Sequence, residues 1–126
     1  MNPVVYDAAV LIAADRSTRQ TWADHRVRLE AGVVPVVPAP VIAQVSRSPA
    51  QVQLRRLLRG CEIIALTEPA AHAAGRLLGL TSTSDVVDAA VAQAAAHLRA
   101  DVVTADRADI RRLLQAAEAT SQIIDA

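Results

Sequence analysis

A chain of 126 residues is the size of one domain, and 52% hydrophobic against 21% charged residues supplies a core and excludes a disordered chain. Tyr6 and Trp22 are its only aromatics, so the core must be built from Ala, Val, Leu and Ile, and modules that stack bases on an aromatic platform are excluded. Thirteen acids balance thirteen bases, which excludes a strongly basic nucleic-acid coat but not a local basic patch.

Every base is Arg and none is Lys. Arg binds phosphate and carboxylate with a fork that Lys lacks, although biased codon usage produces the same composition. The single Cys61 excludes an internal disulfide and a Cys-rich zinc site, and its place before an apolar run reads as a buried, inert thiol. Met1 to Val4 lacks the basic and apolar regions of a leader, and no apolar stretch is long enough to span a membrane. A cytoplasmic protein is expected.

Short apolar runs alternate with helical stretches. Val4, Val5 and Tyr6 form the first predicted strand, closed by Asp7, and residues 8–14 read as helix. A second helix is expected over residues 17–30, ended by Ala31 and Gly32. Residues 33–37 are β-branched around Pro35 and read as the second strand. Helices follow over 41–47 and 50–59, the latter stopped by Gly60. A third strand is expected over 62–66, a helix from Thr67 to about Leu78, and a polar loop over 79–84. An Ala-rich helix covers 85–98, a fourth strand 102–104, a helix 107–119 and a last strand 122–124. No repeat, linker or low-complexity tract divides the chain, so residues 1–126 are expected to form one domain. Alternation of this kind predicts an α/β fold of three α/β/α layers around a short, mainly parallel sheet, with ligands beyond the carboxyl ends of the strands.

The acids fall where such a site would be. Asp7 follows the first strand and Asp106 the fourth, while Asp85 and Asp88 are three apart at the start of the long helix and share its face. Each alone also reads as a helix cap, and Asp106 with Asp109 resembles a capping box. Together, carboxylates brought to one edge repel and raise each other's pKa unless a cation neutralises them, and oxygen-only donors suit Mg²⁺ or Mn²⁺.

Val4-Val5-Tyr6-Asp7-Ala8-Ala9-Val10-Leu11-Ile12 resembles the opening of PIN-domain ribonucleases. Val87-Asp88-Ala89-Ala90-Val91-Ala92 is similar to their central Asp-Ala motif, and Asp101-Val102-Val103-Thr104-Ala105-Asp106, continued by Asp109-Ile110, to their Thr-x-Asp motif. Order and spacing match over nearly the whole chain, and within the family the similarity is to VapC-type toxins of toxin–antitoxin pairs. The resemblance implies a metal-dependent endoribonuclease in which Asp7, Asp88 and Asp106 hold Mg²⁺ or Mn²⁺. It also implies an RNA substrate, a cognate antitoxin and a homodimer. The pattern departs at Gln44, where the family has Glu. An amide coordinates without charge and cannot act as a base, so either Asp85 restores the lost charge or the domain is a weakened, RNA- or partner-binding module.

Arg47, Arg55, Arg56 and Arg59, on the two helices after the second strand, are candidates for a phosphate-binding rim, or equally cover apolar surface with their stems. Thr104 either bonds a site carboxylate or simply favours a strand. His25, His72 and His97 have no ligand spacing and read as surface or packing residues. A receiver-like phosphoacceptor domain would want a Lys after a late strand, and an Asp-x-Asp phosphatase would not have Ala8 and Ala9 after Asp7.

Overall fold

A computed structural model describes residues 1–126. The elements run β1 (Val4–Tyr6), α1 (Ala8–Asp15), α2 (Arg19–Glu30), β2 (Val36–Pro38), α3 (Ala39–Val45), α4 (Val52–Arg59), β3 (Glu62–Ile64), α5 (Glu68–Thr81), α6 (Val86–Leu98), β4 (Asp101–Thr104), α7 (Arg107–Ala116) and β5 (Ile123–Asp125). The five strands form one sheet in the order β3-β2-β1-β4-β5, and every pairing is parallel. This is the three-layer α/β/α arrangement of PIN-like domains, with the sheet parallel throughout. No helix is long and apolar enough to cross a membrane.

Helices cover both faces of a parallel sheet, so its central strands must be apolar on both sides. Val4, Val5 and Tyr6 of β1 are fully buried, as are Val102 and Thr104 of β4. The core is aliphatic, with Tyr6 as its one aromatic. Alanine dominates the buried face of α6, where Ala89, Ala90, Ala92, Ala94 and Ala95 carry almost no side-chain bulk, and α6 contacts β1, β2 and β4 along with α3, α5 and α7.

Several boundaries differ from the sequence reading for identifiable reasons. The second strand begins at Val36, because the turn that stops α2 at Glu30 takes up the Val33 N–H. Gly32 is left-handed (φ +81°), its N–H donates to the Leu29 carbonyl, and the Val33 N–H donates to the Arg28 carbonyl. That is a Schellman stop, which leaves Val34 55% exposed. Helix α3 starts two residues early because Pro40 sits in its first turn, where no N–H is required. Helix α4 starts late because the Gln51 side chain accepts from the N–H groups of Arg47 and Ser48 and holds a turn open. Helix α5 runs through Gly79, placing Gly79, Leu80 and Thr81 in helix rather than loop, and stops at left-handed Ser82. Left-handed Ser17 delays α2 and left-handed Glu118 lies just past α7.

Candidate metal centre

The register of β1 against β4 sets the site. Val4 faces Asp101, Val5 faces Val102 and Tyr6 faces Val103, so the next residues along, Asp7 and Thr104, emerge side by side at the carboxyl edge. The Asp7 N–H continues the ladder by donating to the Val103 carbonyl. Asp7 then becomes the N-cap of α1: its Oδ1 accepts from the Ala8 N–H at 2.7 Å. Its Oδ2 accepts from the Thr104 hydroxyl at 2.7 Å, and the Thr104 oxygen accepts from the Asp106 N–H at 2.9 Å. Thr104 is thus a buried clamp between two acids.

Helix α6 delivers the other pair. Asp85 caps it through Oδ1, which accepts from the Asp88 N–H at 3.0 Å. Asp88, in the first turn, is 6% exposed. One cleft of about 190 Å³ is lined by Asp7, Asp85, Asp88, Asp106 and Gln44, with Ile12 among its apolar walls. The sequence-predicted acids and Gln44 therefore meet in space, with Gln44 on exposed α3 surface.

Capping and site membership are compatible at Asp7 and Asp85, because a carboxylate oxygen that accepts one N–H retains further lone pairs. At Asp106 the expected capping box does not form: Asp106 makes no side-chain cap bond to α7. Instead, carboxylate oxygens of Asp88, Asp106 and Asp109 lie within 4.8 Å of one another. Asp109 is the residue that sequence reasoning passed over. Its signal was the i, i+3 spacing from Asp106, which puts both acids on one helical face.

Electrostatics register the crowding. Burial, then the charges of Asp7, Asp85, Asp106 and Asp109, push the Asp88 carboxyl from 3.8 up to about 7. Burial and the neighbouring Asp109, Asp7 and Asp85 also raise Asp106, partly offset by a hydrogen bond with Asp88. A cluster of all-oxygen donors that resists full ionisation is able to hold a hard metal ion, and Asp88, Asp106 and Asp109 supply three such donors.

The four arginines considered as a rim do not line this cleft. Arg47 donates to the Ala43 and Ser46 carbonyls at the end of α3. Arg55 donates to the carbonyls of Pro49 and Ser48. Arg56 lies over the Trp22 ring, 5.0 Å from its centroid, and Arg59 is exposed. Among the histidines, His25 is buried and bonded to Tyr6, whereas His72 pairs with Glu68 on the surface. Cys61 is half-buried, donates to the Leu57 carbonyl, and is pushed up to about 12 by burial.

With that geometry in hand, solved structures show that the fold is shared with known proteins. It is similar over 98% of both chains to a structure of VapBC2 from Rickettsia felis bound to a DNA fragment from their promoter, at 15% identity and a TM-score of 0.72. It is similar to PAE2754 from Pyrobaculum aerophilum at 20% identity and a TM-score of 0.62, covering 98% of this chain and 90% of that one. A toxin–antitoxin complex from Klebsiella pneumoniae matches at 18% identity and a TM-score of 0.63, over 84% and 88% of the two chains. The resemblance to VapC-type toxins carried by the motifs thus extends to the fold. No family model and no curated protein sequence matches the chain.

Proposed function

We propose that this protein is a metal-dependent endoribonuclease, the toxin of a type II toxin–antitoxin pair, that cleaves RNA phosphodiester bonds with Mg²⁺ or Mn²⁺. The observation that carries the reading is the meeting of Asp7, Asp85, Asp88 and Asp106 in one cleft at the carboxyl edge of a parallel sheet, with Asp109 beside them. The toxin–antitoxin structures that share the fold support an antitoxin partner, and the resemblance supports a homodimer.

On this reading Asp88, Asp106 and Asp109 hold the cation, Asp7 lies alongside, and Asp85 fixes the start of α6 so that Asp88 faces the cleft. A bound divalent cation supplies Lewis acidity and an activated water. Thr104 holds Asp7 through Oδ2, which leaves the other faces of that carboxylate directed by α1. Asp88 retains a proton near neutral pH and must release it when a cation enters, so binding is coupled to proton release. Gln44 is a neutral oxygen and amide donor at the mouth, suited to orienting a water or a phosphate oxygen.

The test is cleavage of a mixed tRNA and rRNA pool by antitoxin-free protein with Mg²⁺ or Mn²⁺, against EDTA and against Asp106→Asn. Asp106 is the better control than Asp7 because it caps nothing. Discrete cuts that vanish with EDTA and in the variant are expected, and cutting that survives both refutes the proposal. The uncharged Gln44 favours a second reading, a catalytically weakened PIN-like module that binds RNA or a partner. A large gain of cleavage in Gln44→Glu would establish it, and an unchanged rate would leave the nuclease reading with Asp109 as the compensating acid.

A further inference from the structure

A groove of about 650 Å³ lies elsewhere, between α2 and α4. Three of its lining residues are Arg19, Arg26 and Arg56, and no acid lines it. In a chain of zero net charge that is a local concentration of positive charge. None of the three takes part in the ion pairs of the protein, which are His72 with Glu68 and Arg107 with Asp125. None donates a side-chain hydrogen bond to the protein either. Arg56 is stacked on Trp22, which orients its fork and leaves its N–H groups unspent.

A buried histidine adds a fourth donor. Arg28 donates to the Tyr6 hydroxyl oxygen at 3.2 Å, so the Tyr6 O–H is directed to His25 Nδ1 at 2.8 Å. The proton of the neutral imidazole then resides on Nε2, the ring nitrogen without a partner, and His25 lines the groove. Burial and Arg28 keep His25 below its ordinary pKa. The groove therefore presents three cations and a fixed neutral N–H, with Gln53 adding an amide.

We propose that the α2–α4 groove, through Arg19, Arg26, Arg56 and His25, binds the phosphodiester backbone of the RNA whose cleavage is proposed above. The inference rests on that reading. An amphipathic partner helix would need an apolar stripe, but only three of the ten lining residues are hydrophobic. Position also favours a single extended ligand. Residues Ala8, Ala9 and Ile12 of α1 line the carboxylate cleft, and Ser17, just past the end of α1, lines the groove. The eight residues of α1 span about 12 Å at ~1.5 Å each, so a strand held in the groove is anchored near the cleft without crowding it.

The test uses the full chain carrying Asp106→Asn and a single-stranded RNA of about twenty nucleotides, titrated at several salt concentrations. The triple variant Arg19→Gln, Arg26→Gln, Arg56→Gln is compared with Arg76→Gln, Arg99→Gln, Arg112→Gln, which removes the same charge elsewhere on the exposed surface. The groove variant is expected to bind at least tenfold more weakly, with the slope of log K against log salt shallower by about 2, since each single-strand phosphate contact contributes ~0.7. Arg26→Gln alone, which removes no contact within the protein, is expected to lower the slope by about 0.7. Equal losses in the two triple variants, or no loss in either groove variant, overturn the proposal. Tighter binding of poly-glutamate than of RNA through the same three arginines also overturns it, in favour of an acidic protein. If wild type shows no metal-dependent cleavage but the groove variants lose RNA binding as expected, the groove stands and the nuclease reading fails.

Discussion

Replacing Asp88 by Asn is expected to stabilise the metal-free protein while removing its response to metal. Burial first, and then Asp7, Asp85, Asp106 and Asp109, raise the folded pKa of Asp88 from 3.8 to about 7. A carboxyl raised in the folded state binds its proton more tightly there than in the unfolded chain. It costs no stability below about pH 4, where both states are protonated, and its cost grows as pH rises to about 7 and is constant above. Three units correspond to about 4 kcal/mol, which water in the open cleft screens to about 2 kcal/mol. Asn keeps the shape and removes the charge, and the Asp85 cap survives because it bonds the backbone N–H. Unfolding in EDTA should show the variant more stable at pH 8 by about 2 kcal/mol, or about 7 °C for a chain of this length, and by only a few tenths at pH 4. Mg²⁺ at a hundred times its Kd should raise the wild type by about 2.7 kcal/mol and leave the variant unchanged. A stability difference that does not change with pH, or a variant less stable at pH 8, refutes the electrostatic reasoning.

Two more outcomes follow from buried hydrogen bonds. Thr104→Val removes the donor to Asp7 and the acceptor of the Asp106 N–H at similar volume, so a loss of about 1–3 kcal/mol in urea unfolding and a ~10–100-fold weaker metal affinity by calorimetry are expected. Unchanged affinity would show that Asp7 needs no clamp. Tyr6→Phe leaves His25 Nδ1 and Arg28 without their shared partner and should cost about 1–2 kcal/mol by thermal unfolding. A neutral effect on stability would mean that water replaces the hydroxyl.

Much of the carboxyl edge was legible because a strand-terminating Asp is a local signal, and β1 and β4 are short apolar runs whose ends are unambiguous. Asp7 and Asp106 were placed by that signal, and Asp85 and Asp88 by their spacing. Asp109 was hidden because the Asp106-x-x-Asp109 spacing satisfies two patterns, a capping box and a shared face. The Thr104 hydroxyl oxygen takes the Asp106 N–H that a capping box would direct to Asp109, which leaves the Asp109 carboxylate to the cluster. The start of β2 was misplaced for a related reason. Residues 33–38 are all Val or Pro and suggest strand, but the Schellman bonds around Gly32 draw the Val33 backbone into the turn after α2, which the side chains of Val33 and Val34 do not announce. Stops at Ser17, Ser82 and Glu118 were similarly silent, since non-glycine residues in the left-handed region are uncommon. The arginine groove was illegible because Arg19 and Arg26 are thirty residues or more from Arg56, and only the packing of the helices brings them together.

The order of the sheet has a consequence for the growing chain. The bond between Thr104 and Asp7 joins residues 97 apart, and at about 5–20 residues per second a ribosome needs roughly 5 to 20 s to travel from one to the other. Through that interval β2 and β3 can pair in turn on one side of β1, while the side that receives β4 stays open. An open strand edge is a hazard for association with other chains, which makes the emergence of residues 101–104 the step that covers this edge of β1, before β5 completes the sheet. Asp106 and Asp109 follow within five residues of it. The carboxylate cluster therefore comes into being only once β4 has paired with β1, so a nascent chain can neither gather a cation at this edge nor act through it until almost all of it has been made.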